Sequence, residues 1–498
     1  MRSALLATVF LIASCGLAYE LIAGALASYL LGDSVTQFST VIGTYLFAMG
    51  IGSWLSKYVV DRLALRFVQV ELLVGVLGGV SAATLFLLYA WVEGPFRLAL
   101  YLMVLLIGVL VGLEIPLVMR MLRQHVGFRD LVSQVLTFDY LGALAVSLLF
   151  PLLLAPHLGL MRSAFMFGLL NVAVSVWTIH LFRGELPARA LYMQCSLAAL
   201  LLGAGFIGAE RLTTLAEESM YVDRIVYTET TPYQRIVVTR WRDDLRLFLN
   251  GNLQFSARDE YRYHEALVHP ALAALPHPAR VLVLGGGDGL ALLEILKYPE
   301  VQEVTLVDLD PAMTHLFSRH PLLTQLNDNA FNSPRAHVVN ADALVWLEQD
   351  AGRYDFIVAD FPDPSNYSVG KLYTEAFYRL LDRHLKSDGL AVIQSTSPMY
   401  ARRSFWTIVA TVESAGLQAT PYHAMVPSFG EWGYIIASHM PYKPPVNYRM
   451  PLRFLSVATT PALFSFPPDM SRLPVEVNRL NNQGLVRTFE EEWHEVIR

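Results

Sequence analysis

Asp360 and Asp363 stand three residues apart in Asp360-Phe361-Pro362-Asp363, where an apolar run ends and a Pro-rich loop begins. Two acids at a strand terminus can hold a cationic amine and accept its proton as the nitrogen becomes a nucleophile. The plainer alternative is a solvated loop with one capping acid. Upstream, Tyr261, Tyr263 and His264 add aromatic faces of the kind that attract cations. A second cluster, Gly285-Gly286-Gly287-Asp288-Gly289, follows another apolar run and opens a helical one. Glycines there let backbone N–H groups approach a ligand, and a helix N-terminus favours polar or anionic groups. By itself such a turn is shared by nicotinamide, flavin and adenosylmethionine enzymes, or is simply a tight turn.

Two further acids narrow the choice. Asp308, about twenty residues downstream, closes the next apolar run, where a carboxylate can accept hydrogen bonds from both ribose hydroxyls. Asp342 closes the third run, where an acid could receive the exocyclic amine of adenine. Either alone could be an exposed strand-end acid; together they describe an adenosine nucleoside site. Asp288 lies inside the glycine turn, where ordinary adenosylmethionine would place its carboxylate, and like charges repel in a partly desolvated pocket. The site therefore prefers a cationic tail. No His/Cys spacing suggests zinc and no Walker-type loop is present. His269, His277, His315, His337 and His423 are scattered and read as surface or core residues.

These residues need a sheet to place them. Val281–Leu284, Val304–Leu309, His337–Asn340, Phe356–Ala359 and Leu390–Gln394 are short runs rich in Val, Ile and Leu. Such runs suit a parallel sheet buried on both faces, and helical stretches fall between them. Ahead of them, Ile225–Thr228, Arg235–Thr239, Leu245–Leu249 and Leu253–Phe255 alternate like antiparallel strands, and Asn250-Gly251 marks a two-residue hairpin. A helix is expected from Asp259 to Ala274, and a short charged connector helix at 210–218.

Residues 1–210 carry 11 Lys/Arg and 10 Asp/Glu, against 26 and 33 in residues 211–498. The first part therefore reads as membrane-embedded and the second as a soluble domain, which excludes a purely cytosolic chain. Neither part has the basic field that nucleic-acid binding needs. Cys15 and Cys195 form no pattern. Apolar runs near 4–31, 36–56, 68–91, 97–119, 132–155, 162–182 and 190–209 could each cross a hydrocarbon layer, giving seven spans. Basic residues gather at Lys57, Arg62, Arg66, Arg120, Arg123, Arg129, Arg183 and Arg189, against Arg97 and Arg162 in the alternate connections. That places the N-terminus in the cytoplasm and, with seven spans, the soluble domain outside. Glu20, Glu71, Glu114 and Asp139 fall in or near the spans, as a polar path or a site for a cationic substrate, or as acids that fix helix packing or sit near an interface. Gly43 and Gly50-Ile51-Gly52 favour close helix contacts. The expected architecture is multi-domain. A transmembrane helical bundle (1–210) precedes a small antiparallel β-hairpin subdomain (211–275) and a Rossmann-like, methyltransferase-type α/β domain (276–440). A tail (441–498), amphipathic near Val475–Ile497, is assigned no chemistry.

The sequence resembles the spermidine synthase (polyamine aminopropyltransferase) family. The carrying motifs are Pro232-Tyr233-Gln234, Leu249-Asn250-Gly251 with Gln254, and Arg258-Asp259-Glu260-Tyr261-Arg262-Tyr263-His264-Glu265. Gly285–Gly289, Asp308, Asp342 and Asp360 with Asp363-Pro364 complete the set, in order over about 220–440. The apolar first half looks like the membrane-bound branch. The resemblance implies decarboxylated S-adenosylmethionine as co-substrate, no prosthetic group, and a small polyamine as acceptor. Gln234, Asp308, Asp342 and Ala343 would hold the nucleoside beside the Gly285 and Gly287 turn. His264, Asp288 and Gln254 would contact the aminopropyl or amine portion. Asp360 would take the proton, with Asp363 and Tyr263 orienting the attacking amine. A multi-pass cell-membrane location and a homodimer follow by the same resemblance. Substrate supply favours a cytoplasmic catalytic domain, against the charge count. Departures from the family pattern at Phe361-Pro362, Thr396 and Phe429 fall on the acceptor side, so the donor is better specified than putrescine as acceptor. The alternatives are a membrane-anchored methyltransferase and a polyamine sensor or transporter with a non-catalytic domain.

Overall fold

The computed structural model describes residues 2–31, 34–91, 96–123, 128–221 and 223–497. It divides into two compact units, Met1–Arg224 and Ile225–Arg498. The first consists of helices α1 (Arg2–Leu31), α2 (Ser34–Leu55), α3 (Leu63–Trp91), α4 (Phe96–Leu122), α5 (Phe128–Leu149), α6 (Ala155–Leu181) and α7 (Ala188–Met220). The charged stretch expected as a separate connector is the end of α7, which carries the unit boundary past residue 210.

Six helical runs among the described residues are long and apolar enough to cross a membrane, where seven spans were expected. The difference lies in Arg129–Leu181, a single run of 53 residues. At about 1.5 Å per residue it would be far longer than one hydrocarbon layer is thick. It is broken at Gly159, whose φ of 73° and ψ of 172° lie outside the helical region. That positive φ is one that glycine adopts without strain. The break falls inside the junction expected near 155–162. Close helix contact rests on Gly52 and Gly112: an added Cβ would lie 2.0 Å from Val109 O and 2.2 Å from Met49 O. Gly43 and Gly50, grouped with Gly52 in the sequence, face open space.

The second unit opens with a four-stranded sheet ordered β1 (Arg224–Thr230), β2 (Arg235–Trp241), β3 (Asp244–Leu249), β4 (Asn252–Ser256). Asn250 (φ 51°) and Gly251 (φ 82°) make its expected hairpin turn. Helix α8 (Glu260–Leu272) leads to a seven-stranded sheet with β5 (Arg280–Gly285), β6 (Glu303–Asp308), β7 (Ala336–Asn340), β8 (Tyr354–Asp360), β9 (Leu385–Gln394), β10 (Gln418–Val426) and β11 (Gly430–Ser438). Its order is β10-β11-β9-β8-β5-β6-β7. Strands β5 to β9 pair in parallel, and β11 runs antiparallel to both β9 and β10. Val281, Val283, Phe356 and Val358 pack one face, and Leu282, Leu284, Ile357 and Ala359 the other. This is the doubly wound, Rossmann-like arrangement expected for 276–440. The chain turns to opposite sides after β5 and before β8, so the ligand crevice lies beyond the carboxyl ends of those strands. Gly285 and Asp360 pair there.

The tail is built onto this unit. Glu265 of α8 accepts backbone N–H bonds from Arg453 (2.8 Å), Phe454 (2.8 Å) and Leu455 (3.1 Å). Glu492, in the last helix Gly484–Ile497, accepts from Arg403 N (2.7 Å) and Ser404 N (3.0 Å), capping the helix Arg402–Ser414.

Candidate active site

Gly285 and Gly286 have φ of 82° and 63°, and a Cβ on Gly285 would come within 2.2 Å of Asp360 O. The turn therefore requires glycine, and it brings the backbone past the end of β8. Gly287 N donates to Asp308 Oδ2 (3.1 Å), and Asp310 N donates to Asp308 Oδ1 (2.9 Å). A Cβ on Gly287 would press on Asp308 Oδ2 at 2.6 Å. Burial pushes Asp308 up to about 6, while the Asp310 and Gly287 N–H groups favour its charged form. Gln234 reaches this corner indirectly. Its Nε2 donates to Asp310 Oδ2 (2.9 Å), beside Thr231 Oγ1 at 2.8 Å. Sequence reasoning missed Asp310, although Asp310-Pro311 is a helix N-cap signature.

Asp342 caps the helix Ala343–Gln349 through Leu344 N (3.0 Å), and Ala343 is buried beneath it. Its Oδ2 carries the Lys371 ammonium at 2.5 Å. No local pattern announced that contact.

Around the end of β8 the acids and aromatics expected for the reaction do come together. Tyr263 Oη donates to Asp360 Oδ1 at 2.6 Å, with the Tyr263 ring 5.6 Å from Tyr434 and 6.3 Å from Phe429. Burial raises Asp360 to about 6; the charge on His264 and the Tyr263 bond pull it down, while Asp288 pushes it up. Asp288 accepts from Leu290 N (2.9 Å), opening helix α9 (Leu290–Leu296), and burial raises it too. His264 Nδ1 bonds Glu260 O and Oε2, both at 2.9 Å. Burial works against its charge, but Glu260, Asp288 and Asp360 together lift it to about 9. His264 is therefore an imidazolium at neutral pH, a counter-ion for the acids.

Asp363 is raised to about 7 by burial, and its Oδ1 accepts from Gln394 Nε2 (3.0 Å). Tyr373 Oη lies 3.0 Å from both Gln394 Oε1 and Pro362 O, so it fixes which end of the amide faces Asp363. Tyr373 escaped the sequence reading because its role depends on contacts across the fold. Thr396, buried after β9, holds a φ of 57°, a strained value for a β-branched residue.

Three expected residues stand elsewhere. Tyr261 lies under the Arg453 guanidinium, 3.7 Å from its ring centre, so it braces the tail and not the amine pocket. Phe361 is core, packed on Phe377 and Tyr373. Gln254 turns its amide back to Asn252 O (3.2 Å); among the described residues no hydrogen bond joins it to Asp288, His264 or Asp360.

A Rossmann-like sheet with acids at or just beyond three strand ends and a glycine turn is the frame of a nucleotide- or nucleoside-binding domain. Comparison with known proteins narrows the class. The Spermine/spermidine synthase domain profile matches residues 260–448. The chain is 62% identical over 503 residues to polyamine aminopropyltransferase 2 of Ralstonia nicotianae, covering 99% of each. It is 51% identical over 502 residues to the polyamine aminopropyltransferase of Leptospira interrogans, covering 100% of each. A spermidine synthase crystal structure in complex with the transition-state analogue AdoDATO aligns at TM-score 0.46 and 26% identity, over 49% of this chain and 86% of that one. The chain belongs to the polyamine aminopropyltransferase family, and its chemistry is aminopropyl transfer.

Proposed function

We propose that the donor is decarboxylated S-adenosylmethionine and that the acceptor is a small diamine, with putrescine the first candidate. The observation that carries this is the Tyr263–Asp360 bond of 2.6 Å at the sheet's switch point, with Asp288 in the adjoining glycine turn. Asp308 and Asp342 hold ribose and adenine, with Gln234 acting on Asp308 through Asp310. Asp288 faces the aminopropyl ammonium, where a carboxylated donor would meet repulsion. The acceptor nitrogen attacks the propyl carbon beside the sulfonium, the C–S bond breaks, and its electrons stay on sulfur as methylthioadenosine leaves. Asp360 receives the proton, because the neutral amine is the nucleophile. Asp363, steadied by Gln394 and Tyr373, orients the amine, and positioning supplies much of the rate. His264 balances the acids until a cationic substrate arrives.

Six long apolar helices, with Leu46, Phe47, Leu98, Leu144, Leu197 and Ile207 turned outward, support a multi-pass membrane location. Substrate supply puts the catalytic unit on the cytoplasmic side, and the family resemblance alone suggests a homodimer. The test is methylthioadenosine release from purified full-length protein supplied with decarboxylated S-adenosylmethionine and a panel of amines. Release with putrescine is expected. Release with another amine alone would replace putrescine and point to Thr396 and Phe429. Release with none would overturn the reading.

A further inference from the structure

The helical unit buries acids for which the transfer reaction has no use. Glu71 on α3 is 0% exposed and Glu114 on α4 is 2% exposed. Both Glu71 carboxyl oxygens and Glu114 Oε1 lack a hydrogen-bond partner among the described residues. The two groups lie within electrostatic range of each other, and of Cys15 and Tyr19 on α1.

Helix α6 brings a second, separate set of orphans. Asn171 and Ser175 are 0% exposed, and Asn171 Oδ1 and Ser175 Oγ are unpartnered. Tyr19 Oη fixes Asn171 by accepting from its Nδ2 at 3.1 Å. Register sets Ser175 at the level of Glu71. A Cβ on Gly75 would meet Asn171 Cβ and Gly168 O at 3.0 Å, and one on Gly79 would approach Gly168 Cα at 3.4 Å and Ala164 O at 3.6 Å. Helices α3 and α6 therefore run antiparallel, and one turn back from Gly75 sets Glu71 level with Ser175. Thr8, Ser14, Thr178 and Ser196 return their hydroxyls to the carbonyl four residues earlier; Ser175 does not.

The carboxyl and amide orphans are acceptors, so what completes them is a donor. Several cations of the unit are committed elsewhere. Arg120 bonds Ser56 O and Val59 O, Arg162 pairs with Glu210, and Lys57 sits over Trp54. Protonating one carboxyl group supplies a single O–H donor, which can satisfy one of these acceptors and leaves the others unmet. A primary ammonium group brings three donors on one cationic atom. Resting on the aminopropyl-transfer reading for the class of amine, we propose that Glu71, Glu114, Asn171 and Ser175 form a binding site for a primary ammonium group inside the helical unit. The ligand is an amine of the kind the catalytic unit consumes or makes, and intramembrane acids facing a bundle interior serve such pathways in general.

The test is equilibrium binding of radiolabelled spermidine to the full-length protein in lipid nanodiscs. Wild type binds two equivalents. The Glu71→Gln/Glu114→Gln protein binds one, with methylthioadenosine release unchanged. Ser175→Ala, a milder change, weakens the second equivalent roughly two- to tenfold, as loss of one hydrogen bond does. Equal stoichiometry in wild type and the double variant, or unchanged affinity in Ser175→Ala, would overturn the site. Wild-type protein that releases no methylthioadenosine with any amine would count against the catalytic reading, and the binding count would still decide this one.

Discussion

In the α/β unit, Asp288, Asp308, Asp360 and Asp363 each accept a hydrogen bond, from Leu290 N, Gly287 N, Tyr263 Oη and Gln394 Nε2. In the helical unit, Glu71 accepts none among the described residues. The four aspartates are half-buried at the sheet's carboxyl edge while Glu71 is fully buried, so the acid without a donor is also the one further from water. A donor on one oxygen fixes where a carboxylate points and part-compensates the cost of taking it out of water. Such an acid is held ready for a substrate atom at its other edge. A buried acid without a donor is a standing cost to the fold, and it is retained where a ligand or a proton completes it.

The largest expected effect removes a partnered acid. Asp360→Asn keeps the shape and the Tyr263 contact but cannot take the proton, so kcat should fall about 10²- to 10⁴-fold, the usual worth of a positioned base. Thermal stability should barely change. The pH profile sharpens the same point. Asp360 acts as the carboxylate, and with its pKa near 6 the rate should rise as pH increases through that value. Tyr263→Phe removes a donor that favours the carboxylate, so the limb should move to higher pH. A limb unmoved in Tyr263→Phe would detach the 2.6 Å bond from catalysis.

How much of this could be read in advance depended on the range of the interactions. Acids at strand ends were legible because a parallel sheet writes its strands as short apolar runs and leaves a polar residue at each carboxyl end, as at Asp308 and Asp360. The Asn250-Gly251 turn was legible for the same local reason. Strand β10 was not, because Pro421 sits within it; proline is tolerated there since β10 is the edge of the sheet. Its partner β11 begins Gly430-Glu431-Trp432-Gly433, which reads as a turn. Residues that work through distant partners gave no signal: Tyr373 through Gln394, Lys371 through Asp342, and Tyr261 under Arg453. The run 129–181 was legible too: its break at Gly159, a glycine at positive φ, falls in the gap between the apolar runs 132–155 and 162–182.

A partnered acid outside the pocket gives the next effect. Glu265 collects three backbone N–H groups of the tail, one residue from His264. Glu265→Gln sets an amide NH₂ against at least one of those donors and removes the charge from the rest. We expect about 2 kcal/mol lower stability of the α/β unit by denaturant unfolding. Faster proteolysis of 441–498 should accompany it.

The smallest effect should have the opposite sign. Glu71→Leu replaces a carboxyl group that has no donor with a side chain that needs none, at similar volume and in a site already 0% exposed. For a partnered buried acid this change leaves donors stranded and costs stability; here there are none to strand. Relief of the unmet acceptors should raise stability by about 1 kcal/mol, seen as a higher unfolding temperature in detergent without added amine. Saturating spermidine should raise the wild-type unfolding temperature by more than that of Glu71→Leu, which keeps only the catalytic site. A variant less stable than wild type in the absence of amine would mean that Glu71 holds the bundle together, and the contrast between the two units would then be one of chemistry alone, not of free energy.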